Sequence, residues 1–249
     1  MASRLSASGY ALLAAGNLKG SKGCWETNDV ESVAALLKEW RSKHAKRIGH
    51  APLYLMGPSS GGFFVTEAAR HWRDVRALSI QISVPAIESV RAPLPSGAAD
   101  FAPLQIVLCS RDTGKLHELD TLRRALPTVD THVVSPRPVH NYFFSEAMPG
   151  LAPELSHAVR DRLVAAGHID GATSMVRSHP SRGAWRDAVR STLTAHHDHA
   201  GLQQGSLQVT MDGVFARLDL AWAYHASTCA LINRTIAFFD DHRGRGARP

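Results

Sequence analysis

Cysteine is scarce in this chain of 249 residues, which has only Cys24, Cys109 and Cys229 and no CxxC spacing. An odd and sparse set argues against a disulfide framework and against a cysteine zinc site. No apolar run approaches the ~20 residues that a membrane-spanning helix needs. The sequence also lacks an internal repeat and a low-complexity linker. We therefore expect a soluble globular protein with no transmembrane segment, and favour the cytoplasm or an organelle over a membrane. The sequence indicates neither the compartment nor the oligomeric state.

The chain carries an excess of positive charge, with 28 Lys and Arg against 22 Asp and Glu. Its isoelectric point of about 9.5 is in the range of nucleic-acid-binding proteins. However, the excess is spread along the chain and into a tail with Arg243, Arg245 and Arg248. No aromatic and basic recognition motif accompanies it. We interpret the charge as solvated surface and expect no nucleic-acid partner.

The first sixteen residues allow two interpretations. A basic residue and a short apolar stretch are about the minimum for a cleaved targeting signal. The apolar run at 10–16, which ends at Gly16, is also typical of a buried strand. We favour the strand and keep the targeting signal as the alternative.

Short apolar runs alternate with helical patterns through the first half of the chain. Such runs, apolar on both sides, are typical of parallel strands that are covered on both faces. The sequence predicts an α/β fold, a three-layer sandwich with a mostly parallel sheet. We expect these runs to be adjacent core strands: 52–56, 78–84, 104–110 and 131–134.

The alternation stops after the fourth run. Helical pieces at 154–166 and 181–194 are separated there by turn-rich stretches, and a long apolar helix is predicted at 218–239. We therefore divide the chain into a core at 1–138, a helical cap or insertion at 139–220, and a C-terminal core helix with a basic tail at 221–249. We expect the cap to lie over the carboxyl ends of the strands, where such folds place their sites.

The strongest local motif is G-x-S-x-G at residues 57–61, followed by a further glycine, Gly62. It lies between a predicted strand and a predicted helix, the context of a nucleophile elbow. There a tight turn would raise the Ser59 hydroxyl above the sheet, and the N–H of Ser60 would help to bind an oxyanion. The alternatives are a chance Gly/Ser turn and a register with Ser60 as the nucleophile, which lacks the first glycine.

A serine nucleophile needs a general base and an orienting carboxylate, in the order Ser, Asp or Glu, His on this fold. Asp112 follows the third strand directly, although it could also be the N-cap of the next helix. Asp100 and Asp120 are weaker candidates. For the base, His140 follows the fourth strand within a few residues, and His225 lies where the core resumes after the insertion at 139–220.

The sequence His196-His197-Asp198-His199 could bind a metal ion. It lacks the support of a predicted helix or strand. We interpret it as a solvated loop and expect no metal site.

Motifs along nearly the whole chain resemble the α/β-hydrolase superfamily and, more narrowly, a group of poorly characterised plant and algal hydrolase-like proteins. The elbow is the specific part of this resemblance. In that group a histidine stands at the position of His225, which favours His225 over His140 as the base. Ala226 here replaces a glutamate of the group. The motifs are Gly9 to Asn17, Cys24-Trp25, Asp29, Trp40, MGPSSGGFFV, SRDTG, Phe143-Phe144, Trp185 and AWAYH.

The resemblance also implies a departure from the family. The segment like Gly9 to Asn17 would be the fourth strand, and a third strand with an oxyanion loop would come before it. A chain that begins at Met1 has no room for them, so we expect an N-terminally truncated core without one oxyanion donor. Such a loss costs ~100- to 1000-fold in turnover.

These observations together predict a serine hydrolase that cleaves an ester, thioester or related acyl bond of a small molecule. Ser59 would attack, His225 would transfer the proton and Asp112 would orient the imidazole. This chemistry requires no cofactor and no metal. The alternatives are a non-catalytic binding or interaction protein of the same fold, and an acyltransferase with the same triad.

Overall fold

The computed structural model describes residues 1–16, 24–98, 100–148, 150–180, 183–196, 204–229 and 231–243. The strands are β1 (Leu53–Pro58), β2 (Val75–Gln81), β3 (Leu104–Cys109) and β4 (Asp130–Val134). The helices are α1 (Ala2–Ala7), α2 (Asp29–Lys43), α3 (Ala45–Ile48), α4 (Ser60–His71), α5 (Ile87–Arg91), α6 (Thr113–Ala125), α7 (Pro153–Ala165), α8 (Ala184–Ala195), α9 (Gln204–Trp222) and α10 (Ile232–Asp241).

The chain forms two compact units. The first unit comprises Met1–Leu108, Thr113–Val133 and Ser227–Pro249, and the second comprises Cys109–Asp112 and Val134–Ala226. The position expected for residues 139–220, over the strand ends, stays a prediction.

The sheet has the order β1-β2-β3-β4, and its strands are parallel. Tyr54 to Pro58 pair in register with Ala77 to Gln81. The expected α/β fold with adjacent parallel strands is therefore confirmed. The expectation that 52–56 is an inner core strand is wrong, because β1 is an edge strand of the described sheet and its side chains are mostly half-buried.

The strand expected at 10–16 is also wrong. These residues have no regular secondary structure, and Leu12 is 41% exposed. The alanine-rich run has a low preference for strands. Tyr10 instead anchors the segment, because its hydroxyl donates to Asp240 Oδ1 at 2.7 Å and its ring packs edge-on against Tyr54.

One face of the sheet is apolar. Leu78, Ile80 and Ile106 are completely buried there, against side chains of α2, α4 and α6. Alternate residues of a strand point to the same face, which is why these positions share one core. Burial of each such side chain stabilises the fold by roughly 1.5–3 kcal/mol.

The other face is buried but partly polar. Gln105 Oε1 accepts hydrogen bonds from Ser79 Oγ at 3.0 Å and from Thr235 Oγ1 of α10 at 2.7 Å. Its Nε2 donates to Asp130 Oδ2 at 2.8 Å. Beside this network, Ala77 packs against phenylalanines of α10. The C-terminal helix is therefore held to the sheet by both apolar contact and side-chain hydrogen bonds.

In the second unit, α7, α8 and α9 surround a core of their own. Phe144, Leu163, Leu193, Met211 and Leu218 are completely buried in it. The helical segments expected at 154–166 and 181–194 correspond to α7 and to α8.

The single helix expected at 218–239 is wrong. Helix α9 ends at Trp222 and α10 begins at Ile232. Ala223 and His225 lie between them with φ of +57° and +37°. This left-handed conformation is incompatible with a continuous right-handed helix, and non-glycine residues adopt it too rarely for the sequence to reveal it.

The buried hydrogen bond of Thr235 gives a stability prediction. Thr235→Val keeps the shape of the side chain but removes a donor to Gln105, so we expect the free energy of unfolding to fall by about 1–2 kcal/mol in urea denaturation. The matched control is Thr121→Val in α6, where the exposed hydroxyl donates to the His117 carbonyl and accepts from Arg124 Nη2. This control should change stability by less than about 0.5 kcal/mol. Equal effects of the two variants would contradict a stabilising role for the network.

Candidate active site

The turn between β1 and α4 holds Ser59 in a strained conformation, with φ of +52° and ψ of −121°. A non-glycine residue adopts such a backbone only where its surroundings enforce it. Here the Ser59 N–H donates to the Gln81 carbonyl at 2.8 Å, and the Ser59 carbonyl accepts from Gly62 N–H at 2.8 Å. These two bonds fix the residue on both sides of its Cα.

Two glycines allow the turn to be this tight. A Cβ at position 57 would lie 2.1 Å from the Gly61 carbonyl oxygen. A Cβ at position 62 would lie 2.7 Å from Ile80 Cγ2 and 2.9 Å from Ser83 Cβ. Since real Cβ contacts are longer than this, the close approach of α4 to β2 requires glycine.

Ser60 is the first residue of α4. The N–H groups of the first helical turn have no acceptor within their own helix, and the helix dipole places positive potential there. The Ser60 N–H is therefore of the type that stabilises an oxyanion.

Asp112 and His225 form a pair in the second unit. The distance between His225 Nδ1 and Asp112 Oδ2 is 2.9 Å. The carboxylate side chain is 11% exposed and the imidazole 39% exposed. A carboxylate on Nδ1 keeps the proton on that nitrogen, so Nε2 is the basic nitrogen of the ring.

The segment with His225 is tied to the loop with Asp112 by further contacts. Arg111 N–H donates to the Ala223 carbonyl at 3.0 Å, and Arg111 Cζ lies 3.3 Å from the centroid of the Trp222 ring. Cys109 Sγ donates to the Ala226 carbonyl at 3.4 Å, and burial raises the pKa of this thiol, which keeps its proton in place.

Arg111 and Trp222 could not be assigned to the site from the sequence alone. Their contact joins residues more than a hundred positions apart. A cation–π pair of that kind leaves no periodic pattern in the sequence.

The other candidate acids and bases are placed differently. His140 is half-exposed, and its Nε2 lies 3.4 Å from Glu146 Oε2. Asp100 is exposed in a loop, and Asp120 is exposed on α6. Asp112 directly precedes α6, where an N-cap would stand, and it also binds His225. Within the second unit, the structure thus brings Asp112 together with His225. Ser59 belongs to the first unit.

The histidine cluster that begins at His196 is only partly described. The ring of His196 hydrogen-bonds through Nδ1 to the Thr192 carbonyl at 2.9 Å, while His197, Asp198 and His199 lie outside the described residues. In the described part of the chain, no group of three or more His, Cys, Asp or Glu side chains is placed to hold a metal ion.

A cavity of about 890 Å³ opens at the amino end of β3. Its lining includes Val90, Phe101, Leu104 and His242. Because the strands are parallel, this is the end of the sheet opposite to the Ser59 turn, so the cavity does not belong to the elbow.

Comparisons of the chain with profiles of protein families, with curated proteins and with solved structures find no match. The resemblance to α/β-hydrolases therefore stays a prediction. Among the described residues, no helix is both long and apolar enough to span a bilayer.

The close approach at Gly62 gives a prediction about the elbow. Gly62→Ala would push a methyl group into Ile80 and Ser83, so we expect it to destabilise the protein by about 1–3 kcal/mol in thermal or urea unfolding. The control is Gly114→Ala in α6, where a Cβ meets nothing within 4 Å. Alanine favours the helix there, and the control should stabilise the protein by up to about 1 kcal/mol. A Gly62→Ala variant as stable as the control would contradict the tight turn.

Proposed function

We propose that this chain is a serine hydrolase of the α/β-hydrolase type that cleaves an ester, thioester or related acyl bond of a small molecule. The observation that carries the proposal is the strained backbone of Ser59 between β1 and α4. Strain of this kind persists only where the surrounding structure enforces it, and it is concentrated at functional sites. A serine that merely joined a strand to a helix would not need it.

In the proposed reaction, Ser59 Oγ attacks the acyl carbonyl and transfers its proton to Nε2 of His225. Asp112, on Nδ1, orients the ring and stabilises the imidazolium that forms. The negative charge that develops on the carbonyl oxygen is stabilised by the N–H of Ser60.

His225 then protonates the leaving group, and an acyl-enzyme remains on Ser59. In the second half of the reaction, His225 takes a proton from water, which attacks the acyl carbon. The acid is released and the Ser59 hydroxyl is restored. The chain's own side chains suffice for each of these proton transfers.

A fluorophosphonate probe tests whether Ser59 is activated. We expect the folded wild-type protein to be labelled, with the adduct on Ser59 rather than Ser60 by peptide mass spectrometry, because only a serine with a general base reacts. Heat-denatured protein and Ser59→Ala should remain unlabelled. If folded wild-type protein is not labelled, the non-catalytic alternative replaces the hydrolase proposal.

The choice of base is tested by the hydrolysis of p-nitrophenyl esters. Ser59→Ala and His225→Ala should each lose about 10⁴-fold in kcat/KM, and the double variant should lose no more, because triad members act as a unit. His140→Ala, which removes the partner of Glu146, should keep the wild-type rate. A larger loss in His140→Ala than in His225→Ala would assign the base to His140.

A further inference from the structure

The residue that directly follows β2 has an unusual backbone conformation. Ile82 has a φ of +51°, in the left-handed region, and among the described residues it is the only β-branched residue with a positive φ. This region is costly for a branched side chain, because Cβ comes too close to the following carbonyl oxygen. Such a conformation persists only where the surrounding contacts enforce it.

The peptide unit between Gln81 and Ile82 is bonded on both sides. The carbonyl of Gln81 accepts the N–H of Ser59 at 2.8 Å, and the N–H of Ile82 donates to the Val107 carbonyl at 2.8 Å. These two bonds fix the plane of the peptide unit. Since φ is the rotation about the bond from this N–H to the Ile82 Cα, it determines how the chain leaves that fixed plane.

The chain leaves it toward the nucleophile helix. A Cβ at Gly62 would lie 2.9 Å from Ser83 Cβ and 3.2 Å from Ser83 Oγ, so Ser83 packs directly on the backbone of α4. The segment from Gln81 to Ser83 therefore contacts the elbow at two points, the N–H of Ser59 and the backbone of Gly62. Ile82 joins these two contacts, and all of these residues belong to the first unit.

The end of a strand does not explain this conformation by itself. Strands β3 and β4 end at Cys109 and Val134, and neither Ser110 nor Ser135, which follow them, has a positive φ. A glycine would also permit the bend after β2 without a steric cost. The side chain of Ile82 is only 7% exposed, and its burial offsets the cost of the backbone.

We propose that Ile82 is a positioning residue for Ser59. Its left-handed backbone keeps the Gln81 carbonyl on the N–H of Ser59 while Ser83 lies against Gly62, so the turn with the nucleophile is held at two points. This rests on the proposed function. A displacement of the reacting group by about 1 Å can cost ~100-fold in rate, so the role of Ile82 should be measurable in kcat.

Two substitutions separate the backbone of Ile82 from its side chain. Ile82→Ala and Ile82→Gly both remove the buried side chain that holds the residue in place, but only glycine adopts a positive φ without strain. We expect Ile82→Ala to relax and to lose roughly 10- to 100-fold in kcat for p-nitrophenyl esters, with KM changed by less than about twofold. Ile82→Gly should recover most of this loss.

The matched control is Ile106, a completely buried residue within β3. In an extended strand glycine is less favourable than alanine, so Ile106→Ala should melt at a higher temperature than Ile106→Gly. At position 82 we expect the opposite order. Well below the melting temperatures, neither Ile106 variant should change kcat by more than about twofold. The same order of stability at both positions, or an equal kcat in Ile82→Ala and Ile82→Gly, overturns the proposal.

Hydrogen exchange at the Ser59 amide, measured by NMR, separates this inference from the proposed function. We expect exchange at least about tenfold faster in Ile82→Ala than in the wild type, and protection largely restored in Ile82→Gly, whether or not an ester is hydrolysed. Equal exchange in the wild type and Ile82→Ala overturns the positioning role alone. A wild type that is neither labelled by the fluorophosphonate nor active on esters overturns the proposed function, and the positioning of a nucleophile with it.

Discussion

The close packing of α4 against β2 is the constraint on which the candidate nucleophile depends. Gly62 allows the helix to approach Ile80, and the Gln81 carbonyl holds the N–H of Ser59. The side chain of Gln81 in turn accepts a hydrogen bond from Thr228 N–H at 3.0 Å. A single residue of β2 therefore connects the strained serine to the segment that leads into the C-terminal helix.

On the polar face of the sheet, a single residue, Gln105, likewise connects distant segments of the chain. Hydrogen bonds contribute little net energy compared with apolar burial, but a buried group left without a partner is costly. Gln105 can form its hydrogen bonds to Ser79, Asp130 and Thr235 at the same time only when α10 lies in one register on the sheet. These contacts therefore select a position for the helix, and Phe238 and Phe239 pack against Ala77 beside them.

Local features of the fold could be predicted from the sequence. Four strands were found because each is a short apolar run between turn residues, and the Ser59 turn because its glycines stand at fixed offsets from the serine. The pairing of Asp112 with His225 was expected from chain order and a family resemblance, and the two side chains lie 2.9 Å apart.

The predictions of a strand at 10–16 and of a single helix at 218–239 failed because long-range contacts and unusual backbone conformations determine these segments. The segment at 10–16 is fixed by a contact of Tyr10 with Asp240, which no local pattern encodes. Helix α9 ends where Ala223 adopts a positive φ, although alanine ordinarily favours helices. In the same way, the contact of Arg111 with Trp222 joins distant residues and leaves no pattern in the sequence.

The C-terminal segment also bears on synthesis of the protein on the ribosome. Domains generally fold as their residues emerge, but Thr228 and Thr235, which complete the buried hydrogen bonds of Gln81 and Gln105, are translated after all four strands of the described sheet. Until then Gln81 and Gln105 lack these two partners, so the polar face of the sheet is completed only once α10 has been translated.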